Sequence, residues 1–334
     1  MMAAVGAMRV RRNAILSLLC AFLLATTVRG ARADDQSLRA YEKRRIDKIA
    51  QLTAEEHSTI LFSVADELIG FAKDGQVEWI ASGHDPYHSN CGWPHPTLSH
   101  DGLRVAFVSD GDTKEQCRIV IYDLNTRSRR DVLQTHSDPG EIAWSWDDSE
   151  IAFFERGISS VLVRDGSTKV PAPYTAMNRL EGYDLRWGVW SALQWLHDGA
   201  GFIRDAEKEI PTKQPLSFRS ESDLLIVTGG FAHGVDVGSF PAVSPLSNQI
   251  AYYGREGIVA INADGTGRTV LARHHGLSGD FPNRGIVWSR DGSRLFCGSM
   301  ESENRRDSLF LVDVKLGSYR RFLSRTSITI RGWH

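Results

Sequence analysis

From residue 57 to residue 334, short apolar runs alternate with polar turns, and side chains within the runs alternate with a period of two. The runs recur as a unit: an apolar strand, a polar turn carrying Asp-Gly or a substitute, and a second apolar strand. Pro96-Thr-Leu-Ser-His-Asp-Gly-Leu-Arg-Val-Ala-Phe is the first full copy, and Ile142-Ala-Trp-Ser-Trp-Asp-Asp-Ser-Glu-Ile-Ala-Phe the second. Further copies begin at Leu193, Ala242 and Ile286. The residue closing the first strand of each copy is Ser99, Ser145, Leu196, Ser244 and Ser289, at steps of 46, 51, 48 and 45. Self-similarity at such a period marks a repeat architecture. One more step of 45 reaches His334, inside Ile328-Thr-Ile-Arg-Gly-Trp-His, which reads as the first strand of another copy. A backward step of 46 finds no motif at residue 53, yet strand-like runs follow at 59–64, 67–72 and 77–82.

The units hold four strands each. After the Ser99 turn, Arg118-Ile-Val-Ile-Tyr-Asp-Leu is a third strand and Arg130-Asp-Val-Leu a fourth; Ser308-Leu-Phe-Leu-Val-Asp-Val and Tyr319-Arg-Arg-Phe-Leu repeat this in the last unit. Such four-stranded units imply an all-β fold, a six-bladed β-propeller over 57–334. One blade is split, its innermost strand supplied by Ser327–Trp333 and its outer three by 57–82. Closing the ring in this way removes the loose first and last blades. Trp144, Trp195, Trp288 and Trp333 share one repeat position and are expected in the core. The Asp-Gly turns, the Asp147-Asp148 pair and Gly265-Thr-Gly read as hairpin chemistry.

Ahead of the propeller the period changes. Leu38, Tyr41, Ile46, Ile49 and Leu52 sit at helical spacing in 34–56, which contains no glycine or proline, so an amphipathic helix packing on the body is expected. A partly ordered N-terminal segment is the other reading. Residues 1–33 read as a signal peptide: Arg9, Arg11 and Arg12, an apolar run from Ala14 to Ala25, and Ala31-Arg-Ala before Asp34. The run is shorter than the ~20 residues a bilayer span needs; a retained anchor is the alternative. Export to the periplasm or outside the cell follows, with no membrane span after cleavage. Cys91, Cys117 and Cys297 then remain. Cys91 and Cys117 fall in one repeat unit and are the expected pair, against three buried reduced thiols. A net charge of −2 argues against a nucleic-acid binder.

The repeat, with Ser-x-Asp-Gly, an apolar strand and Ile119-Val-Ile-Tyr-Asp-Leu-Asn-Thr, resembles that of TolB-like propellers and of the propellers of prolyl oligopeptidases. The resemblance spans about 57–334. TolB carries an additional N-terminal α/β domain, for which 34–56 leaves no room, and no Gly-x-Ser-x-Gly elbow of a hydrolase domain is present. The resemblance therefore implies a free-standing propeller.

Loops joining the last strand of one blade to the first of the next should surround the central channel on one face. They are placed at 81–93, 134–140, 172–188, 228–240, 273–284 and 324–326. Of 11 histidines, six fall there: His84, His88, His136, His233, His274 and His275. With Trp93, His95, Arg186 and Arg284 they form the candidate ligand face. No cofactor is expected outright; a divalent metal on His84, His88 and His233 is the one candidate, although Pro86 prevents His84 and His88 from sharing a helix turn. The expected function is a non-catalytic, monomeric module binding a protein or glycan of the cell envelope, as the TolB-like resemblance implies. The alternative is a metal-dependent enzyme on acidic oligosaccharides: His95-Pro-Thr-Leu-Ser-His-Asp-Gly is similar to the repeat of oligogalacturonate lyases. A face with no function is the third reading, and catalytic residues are not identifiable.

Overall fold

The computed structural model describes residues 35–65, 68–81, 91–92, 94–113, 116–136, 138–154, 157–173, 193–207, 222–228, 231–273, 285–301 and 306–334. Two compact units are distinguished, 1–44 and 45–334. A helix, α1 (Asp35–Glu56), runs from the first into the second. In the second unit lie six four-stranded antiparallel sheets. Blade 1 is β4 (Thr97–Leu98), β5 (Arg104–Asp110), β6 (Cys117–Asp123) and β7 (Arg129–Thr135). Blade 2 is β8 (Ala143–Trp144), β9 (Glu150–Phe154), β10 (Gly157–Leu162) and β11 (Thr168–Pro173). Blade 3 is β12 (Gln194–Trp195), β13 (Phe202–Glu207), β14 (Ser222–Thr228) and β15 (Phe231–Val237). Blade 4 is β16 (Ser239–Val243), β17 (Gln249–Gly254), β18 (Gly257–Asn262) and β19 (Thr269–Arg273). Blade 5 is β20 (Val287–Trp288), β21 (Arg294–Glu301), β22 (Arg306–Asp313) and β23 (Ser318–Ser324). Blade 6 is the split one: β24 (Ile328–Trp333) pairs with β1 (Thr59–Val64), followed by β2 (Leu68–Lys73) and β3 (Gln76–Ile80).

The split blade is built from the expected segments. Val64 pairs with Ile328 and Ile60 with Trp333, across a bulge at Leu61/Phe62. Beyond the strand ends, Thr59 and His334 exchange backbone hydrogen bonds in both directions. In the closing strand, Ile328, Ile330 and Trp333 are buried.

The repeat motif has a direct physical role. In the copies that keep Ser-x-Asp, the serine hydroxyl donates to the aspartate two residues on: Ser99 to Asp101, Ser145 to Asp147 and Ser289 to Asp291, at 2.5–2.7 Å. The same oxygen accepts the amide of the residue opening the second strand, Arg104, Glu150 or Arg294, each at 2.9 Å. The serines of these hairpins are buried, so the paired hydroxyl satisfies a polar group that would otherwise be costly there. Gly102, Gly199 and Gly292 supply the left-handed backbone at the turn, with φ of 66° to 70°. In blade 2 Asp148 takes that conformation, at φ 56°. Its carboxylate accepts the amides of His100 and Asp101, at 2.8 and 2.9 Å, tying the blade 2 turn to the blade 1 turn. The Asp147-Asp148 pair is thus turn chemistry plus a clamp between blades.

Between blades the sheets pack face to face. Leu61, Ile69 and Phe71 of blade 6 meet Val105, Phe107 and Val120 of blade 1, and equivalent clusters follow round to blade 5. The Phe296 and Trp333 rings, 4.7 Å apart, join blade 5 to β24. The repeat tryptophans also bridge: Trp144 Nε1 donates to Thr97 O, Trp195 Nε1 to Ala143 O and Trp288 Nε1 to Ala242 O. Each bond reaches the inner strand of the preceding blade, so the indoles are core residues with a polar tie, as expected of buried tryptophan.

Within the second unit, Ile46, Ile49 and Leu52 of α1 are buried, as their spacing predicts. Tyr41, counted on the same face, is 63% exposed. It lies ahead of the stretch that joins the second unit. Lys48 Nζ donates to Phe322 O on β23, and Gly75 N, in the β2–β3 turn, donates to Thr53 Oγ1. The helix therefore straddles blades 5 and 6, across the joint where the ring closes. Cys91 and Cys117 form a disulfide with Cα atoms 5.5 Å apart, and Cys297 is free and buried. Among the described residues no helix is long and apolar enough to cross a membrane.

Candidate functional site

The six short inner strands, β4, β8, β12, β16, β20 and β24, enclose a cavity of about 570 Å³. That volume is in the range of small-molecule and peptide-segment sites. Its walls are Ile142, Leu193, Ala242, Ile286 and the repeat tryptophans. Polar groups gather where the inner strands begin and where they end.

Where the strands begin, His95 is 3% exposed and Glu141 25% exposed. They occupy one repeat position, 46 residues apart. His95 Nδ1 lies 3.0 Å from Glu141 Oε1. Burial works against the charge of Glu141, but His95 beside it and Arg331, at 3.8 Å, hold its carboxyl below the ordinary range. A carboxylate only accepts, so His95 Nδ1 carries the hydrogen and Nε2 has no partner among the described residues. His95 has φ 41°, held in the left-handed region between Pro94 and Pro96.

On β13, Arg204 and Asp205 are buried next to one another. Phe240 N donates to Asp205 Oδ2 at 3.0 Å, while Oδ1 has no partner among the described residues. Burial pushes the Asp205 carboxyl up to about 6, only partly opposed by the Phe240 amide and Arg204. A carboxyl raised in the fold favours the protonated form. Its contribution to stability is complete below about pH 4 and is lost as pH rises through about 6. Asp205→Asn is therefore expected to gain on wild type between those limits, by up to about 3 kcal/mol. Melting both proteins from about pH 4 to 8 checks it; a pH-independent difference between them would place Asp205 in the ordinary carboxylate range.

Where the strands end, turn residues form a collar. Trp146 lies between His100 and His197, with ring centroids 3.9 and 4.7 Å away. Each ring is tied by its edge to backbone: His100 Nδ1 to Ser145 O at 3.1 Å, Trp146 Nε1 to Trp195 O at 3.2 Å and His197 Nε2 to Pro245 O at 2.9 Å. Pro245, Leu246, Arg290 and His334 complete the collar. Burial and the nearby Arg290 lower the pKa of the His334 imidazole.

Against the candidate ligand face, the outcome is uneven. His95 lines the cavity. His136 is exposed after β7 and is not part of the cavity wall. His233 was assigned to a loop at 228–240, and that placement is corrected: it lies on β15, the outermost strand of blade 3, exposed and paired across from Ile226. The glycines at 229 and 230 suggest a loop; instead β14 and β15 pair directly on either side of them. His233 is thus on the outer rim, away from the cavity. His84, His88, Trp93, Arg186, His274, His275 and Arg284 lie outside the described residues. Among the described residues, no three side chains of His, Cys, Asp or Glu gather around a common metal position. Glu141, Arg331 and the His100–Trp146–His197 collar were missed. Repeat alignment holds a signal for Glu141, a charged residue at the position of His95.

No protein-family model and no curated protein matches the sequence. Solved structures do. TolB from Acinetobacter baumannii is similar at a TM-score of 0.57 and 14% identity, over 83% of this chain and 66% of that one. A protein assigned as TolB from Agrobacterium tumefaciens is similar at 0.51 and 13%, over 83% and 92%. An oligogalacturonate lyase from Vibrio parahaemolyticus follows at 0.48 and 11%, over 79% and 68%. This chain spans just under two thirds of the Acinetobacter TolB. The two TolB likenesses establish a shared fold, the TolB-like six-bladed propeller. At these identities they carry no ligand or chemistry across, and the lyase likeness carries no argument.

Proposed function

We propose that this propeller is an exported, non-catalytic module that receives part of an envelope protein or glycan in its central channel. The observation that supports the reading is the channel itself, a cavity of about 570 Å³ walled by the inner strands of all six blades. Its apolar walls supply burial, and the groups at either end supply orientation. Export is supported by the Arg9–Ala33 pattern and fits a disulfide between Cys91 and Cys117, since such bonds persist in oxidising compartments.

Photo-crosslinking tests it. A photoreactive residue replacing Gln194, on the channel wall, should give a discrete adduct in cells exporting the protein. The same residue at Arg320, exposed on the outer strand β23, should not. Equal labelling from both positions, or none from the channel, would sink the reading. Stoichiometric divalent metal in the purified protein, retained by wild type and lost with His84→Ala and His88→Ala, would instead favour a metal-dependent enzyme on acidic oligosaccharides.

A further inference from the structure

The collar where the inner strands end holds a combination of groups that the fold does not use. Arg290 is exposed and makes no hydrogen bond or ion pair among the described residues. It stands in the same turn position as His100, Trp146, His197 and Pro245 in the other repeats. Each of those three rings has its polar edge tied to a backbone carbonyl, so the collar is rigid before any ligand arrives. Beside Arg290 the side chain of Leu246 is 65% exposed, abutting the Gly292 turn. The acids nearby are already engaged. Asp291, in the same turn, takes the Ser289 hydroxyl and the Ser293 amide and hydroxyl, and farther round the collar Asp101 takes Arg104 at 3.0 Å and Asp148 takes two amides and the His100 ring. The guanidinium therefore has no partner among the described residues on this side of the collar, with an exposed leucine of the neighbouring blade alongside and the tryptophan-walled cavity behind.

We infer that this collar is a binding site for a monocarboxylate carrying an apolar body, its carboxylate on Arg290 and its body over Leu246 toward the cavity. The inference rests on the binding-module reading and names the chemistry that one end of the channel accepts. A guanidinium presents paired N–H donors that match a carboxylate, and an apolar neighbour excludes water from the pair. An amide or ester of the same body lacks the charge. Such a carboxylate can come from the C-terminal end of a polypeptide with an apolar last residue, or from a fatty acid.

Intrinsic tryptophan fluorescence reads the site, because Trp288, on β20 two residues before Arg290, lines the cavity behind it. N-acetyl-leucine and octanoate are titrated separately into the full chain, each beside its amide. At least one acid should give a saturable change, with its amide binding at least tenfold more weakly. Arg290→Gln should remove that preference while leaving the melting temperature unchanged, since Arg290 is exposed and without a partner among the described residues. Saturation by N-acetyl-leucine alone identifies the polypeptide source, and by octanoate alone the lipid source. If neither acid saturates, if amide and acid bind equally, or if Arg290→Gln binds the acid as wild type does, the inference is overturned. Channel crosslinks obtained alongside such a failure would leave the binding-module reading standing, so the two can fail separately.

Discussion

Deleting Ile328–His334 is expected to abolish the cooperative thermal unfolding of the propeller. The deletion removes the inner strand of blade 6, and with it the buried side chains of Ile328, Ile330 and Trp333. At roughly 1.5–3 kcal/mol for each apolar side chain withdrawn from the core, the loss is about 6 kcal/mol. Domains have only about 5–15 kcal/mol in total. The deletion also frees the edge of β1 and removes the Phe296–Trp333 contact between blades 5 and 6. Circular dichroism melts of the truncated and full chains measure the effect, with Trp333→Ala as a milder comparison costing about 3–5 kcal/mol. A truncated chain melting sharply at the full-length temperature would show that the ring stands without its closing strand.

Loss of the disulfide should produce the second largest change. Cys91 and Cys117 are 26 residues apart, and the bridge ties the segment ahead of the blade 1 inner strand to the start of β6. Closing a loop of that length in the unfolded chain stabilises the fold by roughly 3 kcal/mol. For a chain of this size that is a fall of about 6–12 °C in melting temperature on replacing both residues with alanine. Cys297→Ala provides the comparison, since it removes a buried thiol without removing a link. Equal melting of the oxidised and dithiothreitol-treated protein would show that the pair contributes nothing to stability.

Which features were legible from the residues follows from how each is encoded. The ring, its six blades and its split blade were readable because the Ser-x-Asp turn recurs, and the hairpin bonds of Ser99, Ser145 and Ser289 show why it must. The helix was readable from apolar spacing at Ile46, Ile49 and Leu52, whereas Tyr41 fitted the spacing and is exposed. Blade 3 was harder, because its turn lacks the serine and Leu196 stands in its place. Its outer strand, Phe-Ala-His-Gly-Val-Asp-Val, mixes polar and small residues, so His233 passed for a loop residue. The collar was illegible for a different reason. His100, Trp146, His197 and Arg290 are 46, 51 and 93 residues apart in turn and differ in type, and only the arrangement of the blades around the ring brings them to one collar.

The pairing of β1 with β24 also sets an order of events. Sheets 1 to 5 are built from strands consecutive in the chain, so each can assemble from local contacts soon after its residues are made. In blade 6, Val64 waits for Ile328, with nearly the whole propeller between them. The entropic cost of closing so long a loop grows only with the logarithm of its length, so the delay is one of timing more than of energy. Until residue 328 arrives, β1 presents unpaired backbone donors and acceptors along an apolar strand, Thr-Ile-Leu-Phe-Ser-Val. Open edges of that composition are where partly folded chains join one another. A ribosome stalled, or a protease cutting, between Ser324 and Ile328 thus leaves a chain with five blades able to form and one adhesive edge.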